Sequence, residues 1–202
     1  MNHARGFTSR TQGGAIHLIL GPMFSGKSTE LFRRLQRFQL ANRSVMLVKY
    51  HKDNRYQSSG QTASTHDGRQ FNAVAVRQLK DIASSKQFEG TDVIGVDEGQ
   101  FFPDIVPFCE SAATQGKIAI VAALDGTYQR QPFGKILDLV PLSESVIKLT
   151  AVCKECGSDA AFSQRVSPEK QLELIGGSEH YRAVCRSCLL KSDTYNHNRD
   201  VP

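Results

Sequence analysis

The chain has 202 residues and a formal net charge of +5, with 40% hydrophobic and 22% charged side chains. That suffices for one substantial core with a small appendage and is too short for a helicase. The basic balance suits anionic ligands such as nucleotides without establishing nucleic-acid binding. The longest apolar run, Ile118 to Leu124, is far too short to span a bilayer.

Residues 1–14 carry few apolar side chains and read as a disordered arm. They lack the apolar run of a signal peptide, so a soluble, cytoplasmic protein with no membrane partner is expected. Ile16 to Leu20 then reads as a short buried strand. Gly21-Pro22-Met23-Phe24-Ser25-Gly26-Lys27-Ser28 follows, a full G-x-x-x-x-G-K-S phosphate loop. After it, Thr29 to Leu40 places Leu31, Phe32, Leu35, Phe38 and Leu40 on roughly one helical face. Strand, glycine loop and helix are the context that gives this motif meaning. Gly21 and Gly26 allow a tight turn and close approach to phosphate. Free N–H groups at the helix start favour an anion. Lys27 is expected to reach the outer phosphates and Ser28 to ligate Mg²⁺.

Val45 to Tyr50 reads as a second strand, and residues 51–72 as a long polar loop, a length usually tied to function. Val74 to Phe88 is expected as strand then helix, and Asp92 to Glu98 as a strand ending in acids. A helix from Phe102 to Gln115, a strand from Lys117 to Leu124, and a helix from about Lys135 to Leu139, ending before Pro141, come next. Val146 to Val152 is expected as a last strand. Strands alternating with helices predict an α/β fold, a parallel sheet covered on both faces.

Asp97 and Glu98 close an apolar strand, where nucleotide-binding sheets carry a magnesium-shell acid. Ligands of such sheets bind beyond the carboxyl ends of the strands, so Asp97 is expected beside Ser28. Side chains alternate along a strand. Glu98 is then free to face an acceptor pocket and take a proton from an attacking hydroxyl. Gly99 is expected to let the chain turn away. Two solvated acids capping a strand would be the blander reading, but the phosphate loop favours the functional one.

Of five cysteines, Cys153-x-x-Cys156 and Cys185-x-x-Cys188 form two pairs, and Cys109 is left over as a buried helix residue. Two C-x-x-C turns match a tetrahedral Zn²⁺ site. Residues 157–184 are expected to bulge out as a loop pinned at its base, fit to fold over a ligand. The phosphate loop is remote in sequence, so losing a zinc ligand such as Cys185 is expected to cost nucleoside binding more than ATP binding. Two rivals stand beside a kinase: a nucleic-acid-stimulated ATPase and a catalytically dead zinc module. No basic stripe interrupted by aromatics supports the first. The intact set of Lys27, Ser28, Asp97 and Glu98 speaks against the second. A GTPase is disfavoured because no N-K-x-D tetrapeptide occurs.

GPMFSGKSTE, DEGQFF, ALDGTYQRQPFG and the two cysteine pairs enclosing ELIGG and Tyr181 together resemble the type II thymidine kinases, from about Ile16 to Leu189. The resemblance implies a nucleotide-binding α/β domain at 15–150 and a zinc domain at 151–190 whose long lasso loop closes over the nucleoside; the polar stretch 191–202 reads by composition as a flexible tail. The resemblance also implies Mg²⁺-dependent transfer of the ATP γ-phosphate to the thymidine 5′-hydroxyl, structural Zn²⁺ on Cys153, Cys156, Cys185 and Cys188, a homotetramer, and inhibition by thymidine triphosphate. Glu98 matches the general base. Lys27, Ser28, Thr29, Asp97 and Gln100 match positions at the nucleotide and its magnesium. Arg55 matches an arginine near the transferring phosphate, and Asp53 a nearby acid. Phe101, Leu124, Tyr128, Phe133 and Tyr181 match positions around the thymine, with Met23 and Ser163 near its 5-methyl group. Leu172, Glu173, Leu174, Ile175 and Gly176 match the lasso, whose backbone binds base and sugar. Ser163 is often threonine in the family, and Tyr128 is phenylalanine in close animal relatives; both departures bear on analogue selectivity.

Overall fold

The computed structural model describes residues 13–52, 62–64, 70–169, 171, 174 and 176–197, with backbone alone at 62–64, 70 and 192–197. Asp53, Arg55, Leu172, Glu173 and Ile175 lie outside the described residues, as does most of the N-terminal arm.

The sheet order is β3-β4-β2-β5-β6-β1-β7. Six strands run parallel: β4 (Gln70–Val76), β2 (Val45–Tyr50), β5 (Val93–Val96), β6 (Ile118–Ala123), β1 (Ala15–Leu20) and β7 (Ser145–Lys148). The short edge strand β3 (Thr62–Ser64) pairs antiparallel with β4, so the stretch expected as a plain loop contains a hairpin. Every residue of β5 and β6 is buried. These strands are sandwiched, so an unbroken apolar run costs nothing in exposure. On one face, helix α1 (Lys27–Leu40) sets Leu31, Phe32 and Leu35 against Ile19, Leu47 and Ile120. On the other, α4 (Ile105–Thr114) sets Ile105, Phe108, Cys109 and Ala112 against Leu18, Val96 and Val121. Burial pushes the Cys109 thiol up to about 12, which leaves it inert.

Several elements differ from expectation. The helix expected toward Phe88 is two single turns, α2 (Lys80–Ala83) and α3 (Lys86–Glu89). Ser85 interrupts them as the cap of α3, its hydroxyl accepting from the Phe88 N–H. Residues 136–142 form a 3₁₀ segment that runs through Pro141 rather than stopping before it. The last strand is broken. Leu149 N–H donates to the Leu20 carbonyl at 2.9 Å, and the chain then leaves the sheet.

It enters a small second unit of two hairpins, β8 (Ala151–Val152) with β9 (Asp159–Ala160) and β10 (Phe162–Arg165) with β11 (Tyr181–Val184). The loop expected over 157–184 is thus shorter, its base closed by β10 and β11. Helix α5 (Arg186–His197) follows, so residues 191–197, expected as loose tail, continue a helix. Phe24 of the phosphate loop packs with this unit's core of Ala151, Cys153, Ala160, Ala183, Val184 and Leu189.

Candidate functional site

The phosphate loop joins β1 to α1 with three residues in left-handed backbone: Gly21 at φ 146°, Phe24 at φ 65° and Gly26 at φ 81°. A Cβ at Gly21 would lie 2.6 Å from the Leu149 carbonyl oxygen, so that glycine answers a close approach as well as a dihedral. Gly26 is the N-cap of α1, which leaves the first N–H groups of the helix directed at the loop. Lys27 Nζ lies over the loop and donates to the Pro22 carbonyl at 2.8 Å, and Ser25 Oγ donates to the same oxygen at 2.8 Å.

Strand β6 lies between β5 and β1, yet the carboxyl ends converge. Ser28 Oγ donates to Asp97 Oδ1 at 3.0 Å. A hydroxyl and a carboxylate in contact at a helix N-terminus form an oxygen donor set that fits Mg²⁺, a hard cation bound through one or two protein oxygens plus phosphate. Asp97 and Glu98 are 7% and 9% exposed. The left-handed residue of the turn is Glu98 itself, at φ 56°, and not Gly99. Such backbone costs a non-glycine residue roughly 1–2 kcal/mol and clusters at functional sites. Here it is held by Glu98 N–H donating to Asp97 Oδ1 at 3.1 Å and Phe101 N–H donating to the Glu98 carbonyl at 3.1 Å. Gly99 matters for another reason: a Cβ there would lie 2.5 Å from Val121 Cγ1.

Beyond the acids, Phe101 stacks on Tyr50 with ring centroids 5.2 Å apart and meets Phe133 edge-on at 5.5 Å. The Leu124 N–H, at the end of β6, donates to Gln100 Oε1 at 3.0 Å. Gln100, expected among the nucleotide contacts, also donates through Nε2 to Glu98 Oε2, so its amide is used within the fold. A cavity of about 710 Å³ opens on the Tyr50 side of this aromatic wall, lined by His51, Lys52, Arg77, Gln100, Phe101 and Lys135 among others.

Ser163 on β10 accepts from the Met23 N–H at 2.9 Å, a buried bond between the zinc unit and the phosphate loop. With Phe24 packed into the small core, the phosphate loop is a neighbour of the zinc unit despite its distance in sequence. The zinc unit is expected to matter more to nucleoside than to ATP binding, and these contacts add a route by which zinc loss reaches the phosphate loop as well.

The four sulfurs of Cys153, Cys156, Cys185 and Cys188 lie within 4.8 Å of one another. Cys156 and Cys185 are 3.7 Å apart, against the ~3.8 Å edge of a tetrahedron with zinc–sulfur bonds of about 2.3 Å. The first knuckle is a tight turn in which Gly157 N–H donates to the Cys153 carbonyl at 2.9 Å, with Gly157 at φ 77°. The Cys185 amide, then those of Glu155 and Cys156, pull the Cys153 thiol down to about 6. Cys188, donating to its neighbours' sulfurs, is pushed up to about 12. Crowded thiolates repel, and a divalent cation is the partner that lets all four ionise. The donor set fits structural zinc.

Arg165 was not singled out by the sequence. It lies two residues after Ser163 on the same face of β10, a signal hidden while that segment reads as loop. Its guanidinium lies 4.0 Å from the Tyr128 ring centroid and 5.1 Å from that of Tyr181. It donates to the carbonyls of Glu169 (3.1 Å) and Gln171 and to the Tyr181 hydroxyl. Tyr181 in turn donates to the Leu174 carbonyl at 2.9 Å. Tyr128, Tyr181 and the carbonyls of Glu169, Gln171 and Leu174 are thereby tied together, and Gly176 is buried nearby in sequence.

Comparison with known proteins bears on the same features. The family described as Thymidine kinase matches residues 14–189. The cytosolic thymidine kinase of Homo sapiens is 56% identical over 186 residues, covering 92% of this chain and 77% of that one. The thymidine kinase of Vaccinia virus (strain Western Reserve) is 54% identical over 180 residues, covering 89% of this chain and 99% of that one. The flagellar accessory protein FlaH of Methanocaldococcus jannaschii shares the fold, with a TM-score of 0.51 and 16% identity over 73% of this chain and 75% of that one. A phosphate loop bonded to an acid pair, a four-cysteine cluster and a match along nearly the whole sequence agree, and the chain belongs to the thymidine kinase family.

Proposed function

We propose that the chain transfers the γ-phosphate of ATP to the 5′-hydroxyl of thymidine, giving thymidine monophosphate and ADP. The observation that carries this reading is the Ser28–Asp97 bond at the phosphate loop, with the adjacent Glu98 carboxylate held by Gln100 Nε2. Loop amides and Lys27 would bind the phosphates. Ser28 and Asp97 would hold Mg²⁺, which neutralises charge on the β- and γ-phosphate oxygens when bound. Glu98 would accept the 5′-hydroxyl proton as that oxygen bonds to the γ-phosphorus and the bond to the β–γ bridging oxygen breaks. Phe101, Leu124 and Phe133, with Met23 and Ser163, would wall the base, and Asp53 and Arg55 would act at the sugar and phosphate. The segment around Leu172 to Gly176 would bind base and sugar through its backbone. It would exclude water that otherwise hydrolyses ATP.

Cys153, Cys156, Cys185 and Cys188 would hold structural Zn²⁺. Thymidine triphosphate would inhibit by placing its base in this pocket and its phosphates toward Lys27, in competition with thymidine. The chain would work in the cytoplasm as a homotetramer, with no nucleic-acid or membrane partner. No described helix is long and apolar enough to cross a membrane.

Phosphate transfer from labelled ATP to a panel of nucleosides tests the assignment. Thymidine should lead, with deoxyuridine weaker by about 1 kcal/mol for the missing methyl. Equal turnover of deoxycytidine or a purine nucleoside would refute it. Glu98→Gln should lower kcat by roughly 10² to 10⁴, and near-parental turnover would remove Glu98 from the base role.

A further inference from the structure

Gln100 occupies the 3₁₀ turn that follows the acid pair and is 4% exposed. Both ends of its amide are spoken for. Nε2 donates to Glu98 Oε2, and Oε1 accepts from the Leu124 N–H at 3.0 Å. That pattern fixes which way the amide points. Rotating it by half a turn would set an oxygen against the carboxylate and an NH₂ against the Leu124 N–H, replacing two bonds with two repulsions. The backbone beneath is also clamped: Gly134, at φ 57°, packs so closely that a Cβ would lie 2.6 Å from the Gln100 carbonyl oxygen. Glu98 needs such support, because its left-handed backbone leaves its carboxylate at the end of a costly turn rather than on the sheet.

We propose that Gln100 is a positioning residue for the reaction. Its amide holds the Glu98 carboxylate at the acceptor site and couples it to the end of β6, where Leu124 helps to wall the nucleoside. Base wall and proton acceptor are thereby set by one side chain. A nucleoside seated against Leu124 meets a carboxylate already in register. The inference rests on Glu98 being the base.

The decisive variant is Gln100→Glu. It keeps the acceptor for the Leu124 N–H and the side-chain shape, and replaces the donor to Glu98 with a second carboxyl group that repels it. A charged donor–acceptor bond of this kind is worth enough that kcat should fall about 10- to 100-fold. Both KM values should stay within about threefold. Gln100→Leu removes both bonds and should lose kcat similarly while raising the thymidine KM as well. In a Glu98→Gln background, Gln100→Glu should change the residual rate less than about twofold, because no carboxylate is left to position. A merely structural role predicts the opposite, with losses that multiply in the double variant. Should Gln100→Glu not fold, Gln100→Leu carries the test alone, and kcat within about twofold of the parent overturns the inference. Turnover retained in Glu98→Gln would instead sink the general-base reading on which this one stands.

Discussion

Removing Arg165 should loosen the lasso and show as a loss of thymidine affinity. In Arg165→Ala the guanidinium leaves two aromatic rings, Tyr128 and Tyr181, and three acceptors, the Glu169 and Gln171 carbonyls and the Tyr181 hydroxyl. Cation–π contacts at partly exposed sites contribute about 0.5–1 kcal/mol each. The two bonds to lasso carbonyls are exposed, so about 0.5 kcal/mol apiece is a fair discount from the usual range. The total is about 2–3 kcal/mol of preorganisation that the ligand must then supply on binding. Thymidine KM should rise about 30- to 150-fold. ATP KM should move less than about threefold, since the groups Arg165 holds, Tyr128, Tyr181 and the Glu169 and Gln171 carbonyls, lie on the zinc unit and the Tyr128 turn. Arg165→Lys keeps charge but not the planar fork and should fall between the two. Steady-state kinetics with each substrate varied in turn decides the matter, supported by amide exchange over 166–180. A thymidine KM within about threefold of the parent in Arg165→Ala refutes this role for Arg165.

Metal removal should act on both substrates. Chelation, or Cys185→Ser, frees the unit into which Phe24 packs and from which Ser163 accepts the Met23 N–H; ATP and thymidine KM should therefore rise together, and an unchanged ATP KM would contradict that coupling. Elemental analysis should find one zinc per chain. Alkylation after chelation should modify four cysteines and spare Cys109 until the protein unfolds, given its burial and a thiol pushed up to about 12. Glu30, in the first turn of α1, is held down to about 2 by hydrogen bonds from Arg33 and Arg34. Its carboxyl is more acidic in the fold than in the unfolded chain, so its stabilisation is present above about pH 4.5 and is lost as pH falls toward 2. Glu30→Gln should cost about 0.3–1 kcal/mol at pH 7, a few degrees of Tm at most, and the gap should narrow steadily below about pH 4.5. A gap undiminished at pH 2 would assign the loss to packing.

What the sequence determined by itself was local chemistry. The phosphate loop, the acid pair at a strand end and two C-x-x-C turns each place their groups within a few residues. Backbone geometry then allows little choice, and the structure brings Ser28 to Asp97 and gathers the four cysteines. The parallel sheet was legible for a related reason, since only strands covered on both faces can be as apolar as β5 and β6. Tertiary structure decided what depends on partners distant along the chain. Glu98, not Gly99, takes the left-handed turn, held by its bonds to Asp97 and Phe101, while position 99 needs glycine because Val121 leaves no room for a Cβ. Residues 159–160, 162–165 and 181–184 are strands because they pair with others in the small unit, although their own pattern is weak. Met23 meets Ser163, and Gln100 joins Glu98 to Leu124, through bonds whose members no sequence period relates. A short motif fixes its own dihedrals, whereas long-range polar pairs form only once burial of the two cores has removed water and left each buried donor one acceptor within reach.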